Sequence, residues 1–134
     1  MRLAAFIDER RHRPFAWGEH DCCLFAADWV LALTGIDPAA ALRARYDREL
    51  GAARLARECG TASHGDPWGV LEWPTYLGLA ETPVSYSGRG DVAAVEHGGR
   101  MHLGVIIGRY AAAPGSDGLE FLPRRFWRRT WRVD

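Results

Sequence analysis

The sequence predicts an α+β domain, helices first and an antiparallel sheet after them. Apolar residues recur at helical spacing through the first sixty positions, and the period becomes extended from about residue 91. The length of 134 residues suits one compact unit over 1–134, able to bury about two-thirds of the surface its unfolded chain exposes. A hydrophobic share of 48% beside 25% charged residues is the balance of a folded chain and not of a disordered one.

Taken in order, residues 2–13 place Leu3, Phe6 and Ile7 on one helical face, with the charges of Asp8 to Arg13 on the remainder and Pro14 as the stop. The stretch PFAWGEHD carries turn residues. The run CCLFAADWVLAL, interrupted only by Asp28, then reads as a buried central helix ended by Thr34 and Gly35. Asp37 and Pro38 have the form of an N-cap and a first-turn proline, which opens a helix to about Tyr46. A further helix fits residues 50–59, with Gly60 as its stop. From Thr61 to Gly90 the pattern weakens into an irregular connection, with a hint of helix over Trp68–Leu79. Asp91–Glu96 and Met101–Gly108 read as strands of a hairpin turning through His97, Gly98 and Gly99. Leu119–Leu122 and the tail FWRRTWRV supply two more strands.

Seventeen basic and seventeen acidic residues cancel, so no global field gathers nucleic acid, and none is expected as a partner. Every basic residue is arginine, which together with abundant alanine reads as the coding bias of a GC-rich bacterial or viral genome. The segment RRFWRRTWR interleaves arginine with aromatics; in a neutral chain it reads as a strand with a basic outer face and not as a base-stacking surface. Three cysteines, two of them adjacent, make a disulfide framework improbable and favour a reducing compartment. The N-terminus turns charged after seven residues, too soon for a signal peptide, and no run approaches the roughly 18 to 20 apolar residues of a membrane helix. Synthesis in the bacterial cytoplasm, without its own export signal and without membrane insertion, is the expectation.

Chemistry concentrates at Cys22. Asp21 is a good N-cap, which places the Cys22 thiol at the start of the central helix, where partial positive charge favours a thiolate and free backbone amides are ready to receive an oxyanion. A thiol nucleophile needs a base from elsewhere in the chain. Of the five histidines, His102 fits best because it begins a strand of the sheet. By alternation His102, Gly104 and Ile106 share a face, and Gly104 is expected to leave space beside the imidazole. His20 is the second choice, His97 is expected to be solvated, and His12 and His64 lie in segments that read as surface. Phe15, Trp17 and Gly18 before the helix, with Gly104, are the residues expected to border a substrate groove. Cys23 and Cys59 read as small core residues, and Asp91 as a turn or strand-start residue. A zinc site from His20, Cys22, Cys23, Cys59 and His64 lacks the paired-knuckle spacing, so no metal is expected.

These elements together resemble the NlpC family of papain-like cell-wall endopeptidases. The matching strings are Trp17-Gly18, Asp21-Cys22 at a helix start, Arg89-Gly90-Asp91 before a strand, and His102-Leu103-Gly104-Val105, in the family's order across residues 14–108. PFAWGEHDCCLFAADWV with the ending WRV is similar, more closely, to short phage and prophage proteins encoded among tail genes. The resemblance implies a papain-like fold and a cysteine peptidase or amidase without a cofactor, Cys22 as nucleophile and His102 as base. It implies peptidoglycan stem peptides as substrate, tail hub or baseplate proteins as partners, and a place in the virion tail tip during DNA entry. A catalytically incomplete assembly protein of the same fold is the alternative. The sequence departs from the family at three places. Phe15 stands where a tyrosine is usual, Ala111 to Ala113 stand where a residue orienting the histidine is expected, and Cys23 and Leu24 replace the serine and glycine after the nucleophile.

Overall fold

The computed structural model describes residues 2–134. Leu3, Phe6 and Ile7 bury the inner side of α1 (Leu3–Arg10), and the Phe6 ring meets those of Phe25 and Trp29, each at 5.3 Å between centroids. Those two aromatics belong to α2 (Cys22–Thr34), the central helix, capped by Asp21 and closed at Gly35. Helix α3 (Glu49–Glu58) buries Ala52, Leu55 and Ala56, and a single turn, α4 (Trp73–Tyr76), follows the irregular connection.

The six strands are β1 (Ala80–Thr82), β2 (Val92–His97), β3 (Arg100–Ile106), β4 (Tyr110–Gly115), β5 (Gly118–Pro123) and β6 (Trp127–Arg132). They form one antiparallel sheet in the order β1-β6-β2-β3-β4-β5. The molecule is therefore an α+β domain. Val92, Ala94, Leu103, Val105, Ala112 and Trp131 turn one face of the sheet towards α2. Ala93, Val95, Ile106, Ala111, Ala113 and Trp127 fill a second cluster on the other face, closed over by Val84 and Phe126. Small alanines on both faces let β2 and β4 be buried from two sides. The Trp29 indole N–H donates to the Gly90 carbonyl at 2.8 Å, which fixes α2 against the entry to β2. Asp91 behaves as the turn residue expected: its carboxylate accepts from the amides of Gly88 and Val133.

Two expectations change. Residues 37–46 form successive turns and not a helix. The Asp37 carboxylate accepts from the Ala39 amide as in an Asx turn, the Arg43 guanidinium bridges Asp28 and Asp37, and Ala44 takes a φ of 63° that no helix admits. Two strands also stand where none is expected: β1 within the stretch read as an irregular connection, and β4, whose interior holds the three alanines at 111–113.

Sheet pairing is uneven. Hairpins β2–β3 and β4–β5 are each in register over six residue pairs, whereas β3 and β4 meet only at Val105–Ala112 and Ile106–Ala111. Towards Arg100 the two strands part, and a cavity opens beside the start of α2. Among the described residues no helix is long and apolar enough to cross a membrane, and no group of three or more His, Cys, Asp or Glu side chains is placed to hold a metal ion.

Candidate functional site

The site is organised by Asp21. Its buried carboxylate caps α2 by accepting from the Leu24 amide at 2.9 Å, accepts from the Gly18 amide at 3.0 Å, and receives the Tyr46 hydroxyl proton in a short hydrogen bond. The Phe25 amide donates to the Asp21 carbonyl, closing the first helical turn. The amides of Cys22 and Cys23 find no acceptor among the described residues, as the first positions of a helix require. Cys22, half-buried and free of any disulfide, stands beside them.

Gly18 is a support of this arrangement and lies outside the cavity that Cys22 lines, contrary to its expected place along the groove. Its φ is +79°, and a Cβ there would stand 2.1 Å from the Tyr46 carbonyl oxygen. Gly18→Ala is expected to cost about 2 kcal/mol or more through left-handed strain and this overlap, read as a lower urea midpoint with an unchanged slope.

A cavity of about 340 Å³ runs from Cys22 into the space between α2, α3 and the irregular connection. Its outer part is bordered by Phe15, Trp17, Trp68, Arg100, His102 and Glu120. Phe15 and Trp17 meet edge to face at 4.8 Å, Trp17 and Trp68 lie 6.0 Å apart, and the Arg100 guanidinium stacks 4.6 Å from the Trp68 ring. Its inner wall is Leu24, Leu42, Leu55, Val70, Trp73 and Leu77. Phe15 and Trp17 thus border the cavity, whereas Gly104 does not. Gly104 leaves no open space: β4 packs so closely that a Cβ would meet the Ala112 carbonyl at 2.9 Å and the Ala111 methyl at 3.1 Å.

His102 pairs with Val95 across the hairpin and shares its face of the sheet, turned away from α2. His102 borders the cavity at the gap between β3 and β4, where Pro114, Gly115 and Ser116 also line it, and among the described residues no hydrogen bond joins it to Cys22. Its Nε2 lies 3.1 Å from the His97 carbonyl oxygen. A carbonyl only accepts, so Nε2 carries the proton and Nδ1 of the neutral ring is left as the basic nitrogen. Burial holds the His102 pKa below the usual histidine value, against the opposing pull of that hydrogen bond and of the Glu120 carboxylate. The ring is therefore neutral at pH 7.

The hydrogen bond with the Cys22 thiol, reinforced by burial, pushes the Cys23 pKa well above its ordinary value, so Cys23 stays protonated. Burial raises the Tyr46 hydroxyl too, with the Asp21 carboxylate acting in the same direction. Tyr46 brings a hydroxyl into the site that the sequence lacks at Phe15. Nothing in its surroundings marks it, because it arrives from twenty-five residues away. Glu120 is also unmarked: alternation on β5 predicts only an exposed charge, yet its side chain lies over Gly115, where a Cβ would approach its Cγ to 2.6 Å.

Of the other histidines, His97 is exposed with its ring 5.1 Å from that of Phe126, and His12 and His64 are exposed. His20 is not on the cavity wall. It is fully buried, edge-on to Phe25 at 5.7 Å, and neither ring nitrogen has a hydrogen-bond partner among the described residues. Burial, followed by the nearby Arg13 and Arg10 charges, lowers its pKa to about 4. The unfolded chain binds this proton from pH 6.5 downwards and the native one only near pH 4. Stability is therefore complete above pH 6.5 and falls by about 3 kcal/mol on the way to pH 4. Urea titrations at stepped pH are expected to show that loss, and His20→Phe to flatten it.

Fold and site together define an α+β domain with a thiol at a helix N-terminus on the wall of a mainly apolar cavity. The chain belongs to the family described as "Domain of unknown function (DUF6950)", whose model matches residues 1–133. No curated protein and no solved structure matches it.

Proposed function

We propose that the protein is a thiol-dependent hydrolase of NlpC-type, papain-like fold, with Cys22 as nucleophile and His102 as base. The observation that carries this reading is that both residues line one cavity, with the His102 ring held by the His97 carbonyl in the tautomer whose Nδ1 is free to accept a proton. In the reaction, Nδ1 takes the Cys22 proton and the sulfur attacks the substrate carbonyl. The oxyanion lies against the amides of Cys22 and Cys23, and the imidazolium returns its proton to the leaving amine. Water then cleaves the thioester by the same base, and no cofactor takes part.

The resemblance to phage tail-gene products supports peptidoglycan stem peptides as substrate and a tail-tip location, the protein being made in the host cytoplasm and carried in by the virion. Purified peptidoglycan treated with wild type is expected to release soluble peptides, and with Cys22→Ala to release none. An iodoacetamide probe is expected to label Cys22 and not Cys23. A second reading is a baseplate or tail-tip assembly protein without turnover. It is favoured by the His102 ring having a main-chain partner alone, since no side chain among the described residues hydrogen-bonds it. Equal inactivity of wild type and variant, with Cys22 unlabelled, selects that reading.

A further inference from the structure

The inner part of the cavity is more apolar than cutting a stem peptide requires. Behind the thiol its wall is built from Leu24, Leu55, Val70 and Trp73, each no more than 5% exposed, with Leu42 and Leu77 between them. Among the described residues the only basic side chains on the wall are His102 and Arg100, the latter exposed and stacked on Trp68, while Asp21, Glu49 and Glu120 also line it. A carboxylate carried past Cys22 would lose its water and meet no cation, at a cost of several kcal/mol. An apolar chain meets the opposite conditions, because Leu24, Leu42, Leu55, Val70, Trp73 and Leu77 offer it apolar surface that water leaves unsatisfied.

We propose that this chamber seats the apolar acyl chain of a small amphiphilic ester or amide, with the acyl carbonyl at the Cys22 thiol and the polar leaving group outside, beside Trp17 and Arg100. The inference rests on the acyl-transfer reading of Cys22 and not on the choice of peptidoglycan. In the step, the Cys22 sulfur bonds to the acyl carbon and the bond from that carbon to the leaving oxygen or nitrogen breaks. The thiol proton passes through His102 to the leaving group. Water then adds to the thioester, releasing the carboxylic acid and restoring the thiol.

Binding and chemistry are tested separately on the whole chain. Trp17, Trp68 and Trp73 line the cavity, so their fluorescence reports its occupancy. Titrations with butyrate, hexanoate and octanoate are expected to tighten about fifteenfold for each added pair of methylenes, the value of burying them. Acylation of Cys22 by the p-nitrophenyl esters of the same acids and of acetate, followed by intact mass, is expected to rise along the same series. Ala52→Phe, which fills the chamber from α3, is expected to shift both preferences to shorter chains, and Leu55→Ala to longer ones. Circular-dichroism melts show whether each variant is folded, and the wild-type series stands without them. Length-dependent binding without acylation upholds the chamber and overturns the acyl-transfer reading. Acylation as fast from acetate as from octanoate overturns the chamber and leaves that reading intact. Absence of both overturns both.

Discussion

Cys22→Ala is expected to abolish hydrolysis of an acyl ester or peptide substrate, and His102→Ala to lower kcat by about 10² to 10⁴. Neither side chain contributes to the capping hydrogen bonds at Asp21, so both variants are expected to unfold near the wild-type urea midpoint. The pair acts as a unit, since the histidine is useful only for moving the cysteine's proton. The double variant is therefore expected to be no slower than Cys22→Ala alone. The pH profile adds a readout that packing alone does not move. His102 works as a base in its neutral form, and burial holds its pKa below the usual 6.5. The acid limb of kcat/KM is expected below pH 6.5, with activity present above it and lost as the pH falls through the lowered value. An acid limb above pH 7 would remove His102 from the role of base.

The second large effect falls on stability. Asp21 is 2% exposed and accepts from two amides and the half-buried Tyr46 hydroxyl. Asp21→Ala loses the N-cap, worth about 1 to 2 kcal/mol, and leaves Tyr46 without its charged acceptor, worth about 2 kcal/mol more. A total near 4 kcal/mol is expected, measured by urea unfolding. Asp21→Asn keeps a cap oxygen but turns an N–H donor towards the Tyr46 hydroxyl or the Gly18 amide, so about half that loss is expected. Tyr46→Phe costs about 2 kcal/mol in the wild type and almost nothing after Asp21→Ala, because the partner is already gone. Equal costs in the two backgrounds would show that the Tyr46–Asp21 bond is not what holds the turn against α2.

Much of this architecture is legible in the sequence because its signals are local. The Leu3, Phe6, Ile7 spacing, the Asp21 cap before an apolar run, the helix ending before Gly60, and the hairpin turning through Gly98 and Gly99 each need only a few neighbouring residues to be read. What escaped depends on distance. Strand β4 is buried on both faces, so Ala111, Ala112 and Ala113 show no alternation, and alanine followed by Pro114 has poor strand propensity. The Asp37-Pro38 signature correctly marks a capped turn, but the ion pairs of Arg43 with Asp28 and Asp37 and the left-handed Ala44 override its continuation as helix. At the site, Cys22 and Asp21 announce themselves by position. Tyr46, Trp68, Arg100 and Glu120 come from four separate segments, and only the folded chain assembles them.

The scant pairing between β3 and β4 has a mechanical consequence. Two residue pairs make it the narrowest seam of the sheet, while β4 and β5 are fastened instead to the segment before α2: the Phe15 amide donates to the Gly115 carbonyl and the Leu119 amide to the Arg11 carbonyl, both at 2.8 Å. With so few main-chain bonds at this seam, its cohesion falls to side chains: Ala112 packs into the core beneath α2, and Ala111, Ala113 and Leu122 into the one on the opposite face.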